Sequence, residues 1–179
     1  MKNVFLSLAA LLATAFLLGC GGDSDSDEPN TFDDDAYPFT FEYPGDWSET
    51  DDVTLDQQLG NSGEDTRAVG IDETNGIILQ TFQLAIEVDD GNIDAAQKEL
   101  DGLIAQVDSD ATSTVGDTAG LPSVTFDSVS VPQPEGAESK LVAIFDGDKE
   151  YMINCQSTEG HRDEVAEGCD QALETLETR

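Results

Sequence analysis

The apolar positions of the chain fall into three regimes. Val4 to Leu18 is apolar apart from Ser7 and Thr14, a block of about 15 residues that is shorter than the ~20 needed to cross a bilayer. Gly21 to Ala36, GGDSDSDEPNTFDDDA, offers almost nothing to bury and many like charges, the composition of a solvated tether. From Tyr37 onward apolar residues recur at regular intervals, which places a folded domain at 37–179.

Within that domain the spacing predicts the elements. In YPFTFEYPGDW, Phe39, Phe41 and Tyr43 alternate with Thr40 and Glu42, the period-two pattern of a half-buried strand. Pro44-Gly45-Asp46 then turns the chain and Trp47 packs back. Val53 to Leu59 reads as a second strand. Two more flank Asn75-Gly76, a strong hairpin signal, and the second of them, Ile77 to Val88, is long enough to be central. Ile93, Ala96, Leu100, Leu103, Ile104 and Val107 repeat at helical spacing. Residues 93–107 therefore form an amphipathic helix, with Asn92 as its cap and Gly102 as a soft spot. Two strands joined around Gly116 to Gly120 follow, then a Pro-rich loop, then a hairpin with Asp146-Gly147 at its tip. Val165, Cys169, Ala172, Leu173 and Leu176 share one face of a final helix over about 160–177. Hairpins, helix, hairpins, helix predict an α+β fold, its mainly antiparallel sheet covered by two main helices. No internal repeat is visible.

The step from the apolar block to the acidic tether lies at LLGCGGDSDSDE. Met1-Lys2-Asn3 gives a short positive start, and Leu17-Leu18-Gly19-Cys20 is apolar, apolar, small, Cys. This resembles the lipoprotein signal of bacteria. The resemblance implies that 1–19 is a signal peptide, that the Cys20 thiol receives a diacylglycerol, and that Cys20 becomes the new N-terminus. Residues 20–36 then hold the domain off the membrane on its extracytoplasmic side. Two or more acyl chains suffice for stable anchoring, each buried methylene adding ~0.8 kcal/mol.

Charge narrows the partners. Lys and Arg total 7 against 39 acids, a formal net charge of −32. Such a field repels nucleic acid and anionic headgroups. It favours cations, basic partners or a salty habitat. Asp outnumbers Glu and Lys is rare, as in salt-adapted proteins; a specific acidic docking surface is the alternative. Once Cys20 carries lipid, Cys155 and Cys169 remain as an even pair in an oxidising compartment, which reads as a disulfide. A zinc site would need further ligands that the sequence does not place beside them.

Catalytic patterns do not appear. His161 is the only histidine, among Glu159, Arg162, Asp163 and Glu164, with no nucleophile in its neighbourhood. There is no Gly-rich phosphate loop, no Gly-x-Ser-x-Gly elbow and no His-Glu-x-x-His. Acid pairs such as Asp51-Asp52 and Asp89-Asp90 are frequent in so acidic a chain. Asp23, Asp25 and Asp27 lack the Gly and Glu of a calcium loop. VDDGNID is the better calcium candidate, since Asp89, Asp90, Asn92 and Asp94 crowd a Gly turn; a helix-capping turn explains it equally well. No cofactor is expected.

YPFTFEYPGDW is similar to the opening signature of the PsbP-like fold: an aromatic strand, then Pro, a small residue and Trp. VGDTAGLPSVTFD resembles the small-residue turn and strand that follow that family's first long helix. The closing hairpin and helix match as well, and actinobacterial lipoproteins of the LpqN type share the arrangement together with a lipobox. The resemblance covers roughly Tyr37 to Leu176. It implies an α/β/α sandwich around an antiparallel sheet, and proteins that bind and assemble rather than catalyse. No catalytic residue carries over; Tyr43, Pro44 and Trp47 match the pattern as packing residues.

The expectation is therefore a lipid-anchored envelope protein with a binding or assembly role toward an envelope protein partner, not an enzyme. The rivals are an extracytoplasmic carrier of a small ligand or of Ca²⁺, and an envelope hydrolase. An apolar cleft with a few convergent polar groups favours the carrier, convergent titratable groups the enzyme, an exposed aromatic patch the partner binder.

Overall fold

The computed structural model describes residues 28–50 and 65–179. The expected strand over Val53 to Leu59, Asp51-Asp52, and the whole signal with Cys20 and Asp23, Asp25 and Asp27 lie outside the described residues. In chain order the strands are β1 (Asn30–Phe32), β2 (Phe39–Tyr43), β3 (Ser48–Thr50), β4 (Thr66–Gly70), β5 (Gly76–Val88), β6 (Ser113–Thr118), β7 (Leu121–Val131), β8 (Ala137–Ser157) and β9 (Glu177–Thr178); the α-helices are α1 (Ile93–Ile104) and α2 (Arg162–Glu174). A small sheet runs β1-β2-β9 and the main sheet β3-β4-β5-β8-β7-β6. Every pairing is antiparallel. The fold is α+β with a mainly antiparallel sheet and two main helices, as the hydrophobic pattern predicts.

The turns follow their local chemistry, with one difference. At Ala119 and Gly120 φ is +54° and +83°, and Thr118 pairs with Leu121. Two left-handed residues form the two-residue turn whose twist suits a hairpin. At Asn75-Gly76 the hairpin forms, but the turn is longer. Gly70 pairs with Gly76, so 71–75 is the loop and Gly76 is already strand. Glycine is needed there because the backbones touch: a Cβ on Gly76 would lie 2.6 Å from the Gly70 Cα. Asn75 is buried in the loop and ties it down. Its Nδ2 donates to Asp72 (3.0 Å) and its Oδ1 accepts from the Thr158 N–H (2.7 Å).

β8 is extended throughout Ala137–Ser157, yet it doubles back. Residues 137–144 pair with β7 and 147–156 with β5. A straight strand of this length would run about 70 Å at ~3.3 Å per residue. Arg162, five residues past its end, nevertheless ion-pairs with Glu138 near its start, at 3.0 Å. The reversal falls at the expected Asp146-Gly147, where Gly147 has φ +63° and 146–149 are exposed. Two arms of one hairpin thus join the β5 side of the sheet to the β7 side.

The two faces of the sheet carry separate cores. On one, Val69, Ile77, Leu79, Ile144 and Ile153 meet the aromatic residues of the small sheet and Val165, Cys169, Ala172 and Leu176 of α2. Trp47 packs against α2 at Gly168, where a Cβ would lie 2.6 Å from the ring Cζ2. Cys155 and Cys169 are bonded here, their Cα atoms 6.0 Å apart. On the other face, Ile93, Leu100 and Ile104 of α1 meet Val124, Phe126, Leu141 and Phe145.

Three expectations need correction. The domain starts before Tyr37: Asn30–Phe32 of the expected tether pairs with β2, and Phe32 is buried against Phe41 with ring centroids 4.8 Å apart. Burying one Phe contributes about 1.5–3 kcal/mol, enough to hold a strand whose neighbours are polar. The acids behind it are engaged too. Asp34 accepts from Arg67 at 2.8 Å, and Asp33 and Asp35 meet Arg179. Second, the covering is not two helices alone, because α2 shares its face with the small sheet and α1 leaves part of its face open. Third, Asn92 precedes α1 but its side chain makes no cap hydrogen bond. Its Nδ2 donates to the Glu87 carbonyl and its Oδ1 accepts from the Asp89 N–H. The helix also stops at Ile104, and Val107 follows in a closing turn.

Candidate functional site

The open part of the α1 face is a cleft of about 830 Å³. Its position follows from how α1 is held. Ser113 Oγ at the start of β6 donates to Asp101 at 2.6 Å and accepts from Gln97 Nε2 at 2.9 Å. The helix is thereby drawn over β6 and β7, and a gap remains between it and the β5–β8 side. A break in register between Gln83 and Val88 widens the gap. Residues 84–87 arch away from β8, and Gln83 Nε2 donates to the Asp148 carbonyl beneath them at 2.8 Å.

The walls are apolar. Phe82 and Leu84 come from β5, Leu100 and Ile104 from α1, and Leu141 and Phe145 from the first arm of β8. At the mouth Ile86 on the arch and Leu103 on α1 both line the opening. They are 64% and 55% exposed, the two most exposed large apolar side chains of the described residues. No aromatic residue is among those exposed side chains.

The floor is polar and buried. Register places Phe82 opposite Glu150, Gln80 opposite Met152 and Ile78 opposite Asn154. Period two then puts Gln80, Glu150 and Asn154 on one face of neighbouring strands. They are 2%, 9% and 3% exposed. Gln80 Nε2 and Asn154 Oδ1 have no hydrogen-bond partner. Buried polar atoms are normally paired, and an orphan amounts to a loss of about 1–3 kcal/mol. Two orphans of opposite kind, one donor and one acceptor, lie on the floor of one cleft. Burial pushes the Glu150 carboxyl up from 4.5 to about 7, with the charge of Glu99 on α1 adding to the effect. Among the described residues lining the cleft, these two glutamates are the ionisable ones.

The other candidate residues fall elsewhere. Asp89, Asp90, Asn92 and Asp94 do not build a calcium cage. Asp89 Oδ1 accepts from the Gly91 N–H at 2.8 Å, the Asn92 amide is committed to backbone, and Asp94 sits in the first turn of α1. These bonds close the turn itself, without a side-chain cap on α1, and no group of three or more His, Cys, Asp or Glu among the described residues could hold a metal ion. His161 precedes α2 and pairs with Glu164 at 3.1 Å. Gln80, Glu150 and Asn154 were not candidates from sequence. The available signal was a set of polar residues at alternating positions in otherwise apolar strands, which reads equally well as a solvent face.

No family profile matches the sequence, and no curated protein does. Solved structures do match in fold. The chain is similar to cyanobacterial PsbP (CyanoP) from Synechocystis sp. PCC 6803, with TM-score 0.57 and 13% identity over 90% of this chain and 99% of that one. It is also similar to a protein from Bacteroides thetaiotaomicron, with TM-score 0.51 and 18% identity over 83% of this chain and 48% of that one. At such identities the likeness defines a fold class, the PsbP-like fold, and no function.

Proposed function

We propose that the chain is a lipoprotein of the cell envelope, anchored through Cys20, whose domain binds a small, largely apolar ligand in the α1 cleft without transforming it. The buried polar floor with its two orphan amide atoms carries this reading. Apolar walls around a few convergent polar groups are the form of a ligand site, and 830 Å³ lies inside the usual range of about 300–1,000 Å³. Absence of exposed aromatic residues among the described ones speaks for a ligand ahead of a protein partner. A second reading, the hydrolase, rests on Glu150 and Glu99 lining one cleft. Glycoside hydrolysis uses two carboxyls, one with raised pKa. A sugar also needs many polar partners, which these walls do not offer, so binding comes first.

The test is titration of the purified domain with a polarity-sensitive apolar dye. Saturable binding should weaken at least about tenfold in Ala96→Phe, which fills the cleft, and in the surface variants Ile86→Asp and Leu103→Asp. That factor corresponds to about 1.4 kcal/mol. Dye binding that ignores all three variants refutes the cleft. For the anchor, Cys20→Ser should leave the membrane fraction or persist as a longer precursor. A variant that fractionates and migrates as the native chain refutes lipidation.

A further inference from the structure

Resting on the reading of the cleft as a ligand site, we propose that its ligand is a cationic amphiphile: one apolar body along the α1 groove and a protonated amine head on Gln80, Glu150 and Asn154.

The head is assigned by charge and by the orphan atoms together. No Lys, Arg or His is among the described lining residues, while Glu99 and Glu150 are. A carboxylate or phosphate head would place further negative charge beside them at low dielectric, where repulsion is strongest. An ammonium brings the missing charge. It has three N–H donors and no acceptor, and the floor offers acceptors in the Glu150 carboxylate and the unpartnered Asn154 Oδ1. Pairing with a cation also offsets the burial of Glu150, which is 9% exposed. On this floor Gln80 Nε2 is the unpartnered donor. It asks for an acceptor on the ligand beside the amine, such as a hydroxyl.

The body is assigned by the walls. The groove runs from the floor to lips formed by Ile86 and Leu103, both mostly exposed. An apolar chain passing between them would cover both lips, which the isolated domain leaves in water. The net charge of −32 acts in the same direction from outside. It concentrates cations near the surface and repels anionic amphiphiles.

The test compares three single-chain probes of one length, dodecylamine, dodecanol and dodecanoate, each below its solubility or micelle limit. Binding is read by displacement of the apolar dye from the full domain in molar salt, which screens the surface charge. The amine should displace the dye at a concentration at least tenfold lower than the alcohol, and dodecanoate should be weakest. Glu150→Gln should remove the amine's advantage, bringing it level with the alcohol in the same variant. Glu99→Gln should reduce the advantage less. Equal displacement by amine and alcohol in the native chain, or an advantage that survives Glu150→Gln, overturns the cationic assignment and leaves the cleft as a site for neutral ligands. Failure of all three probes to displace the dye overturns both this assignment and the ligand-site reading.

Discussion

Glu150→Gln is the most informative single change, because it separates the energetics of the cleft from those of the rest of this acidic chain. Glutamine has nearly the same shape and stays neutral. In the native chain the carboxyl is held at about 7 against an ordinary 4.5. Below the lower value both folded and unfolded states carry the proton, and burial of the group carries no ionisation penalty. Between the two values the unfolded state releases its proton first, so stability falls as pH rises. Above about 7 both states are ionised and the penalty is constant. At about 1.4 kcal/mol per pH unit, the gap between 4.5 and about 7 amounts to roughly 3 kcal/mol, an upper value because the cleft is open to water. Urea unfolding of native and variant chains, in one buffer series at fixed salt from about pH 4 to about pH 8, measures it. The two should be close at the acid end, and the variant should be more stable by up to that amount at the alkaline end. Self-repulsion of the other acids acts on both chains and largely cancels in the difference. A difference that does not change with pH, or a variant less stable at about pH 8, refutes the buried, desolvated carboxyl and with it the polar floor.

Three further outcomes are expected. Reducing the Cys155–Cys169 bond opens a loop of about 15 residues and should lower stability by about 3 kcal/mol; hydrogen exchange should show the loosening mainly in α2, and equal loosening throughout would contradict it. Gly168→Ala should destabilise by about 1–3 kcal/mol despite its better helix propensity, because its methyl would overlap the Trp47 ring; thermal unfolding reads this, and a stabilised variant would contradict the packing of Trp47 on α2. Raising salt from low to molar should raise the melting temperature as screening relieves repulsion in a chain of net charge −32, and a flat profile without aggregation would count against it.

Much of the fold is written in local pattern. Alternation alone marks β2, since Phe39, Phe41 and Tyr43 go inside while Glu42 stays out. Asp146-Gly147 marks a reversal because glycine readily takes the left-handed φ that Gly147 adopts. The inward face of α2 is fixed by helical spacing, so Cys169 points at the sheet before its partner is known. These features depend on neighbours within a few residues, and the sequence by itself determined them.

The rest depends on what lies opposite. β1 holds one buried side chain, Phe32, among acids and polar residues, and β9 pairs only Glu177 and Thr178 with β2. Neither segment has a period to detect, and each becomes a strand only because β2 presents an edge. Asp33, Asp34 and Asp35 look like solvated linker until Arg67 and Arg179 arrive from 33 or more residues away in sequence. Gln80 and Asn154 lie on different strands, and no local signal tells a polar residue facing water from one buried on a cleft floor. The distinction was made by the register of β5 on the second arm of β8 and by Ser113, which draws α1 to the far side of its face. Burial of a polar group is a property of the layer above it, and that layer is assembled only in the tertiary structure.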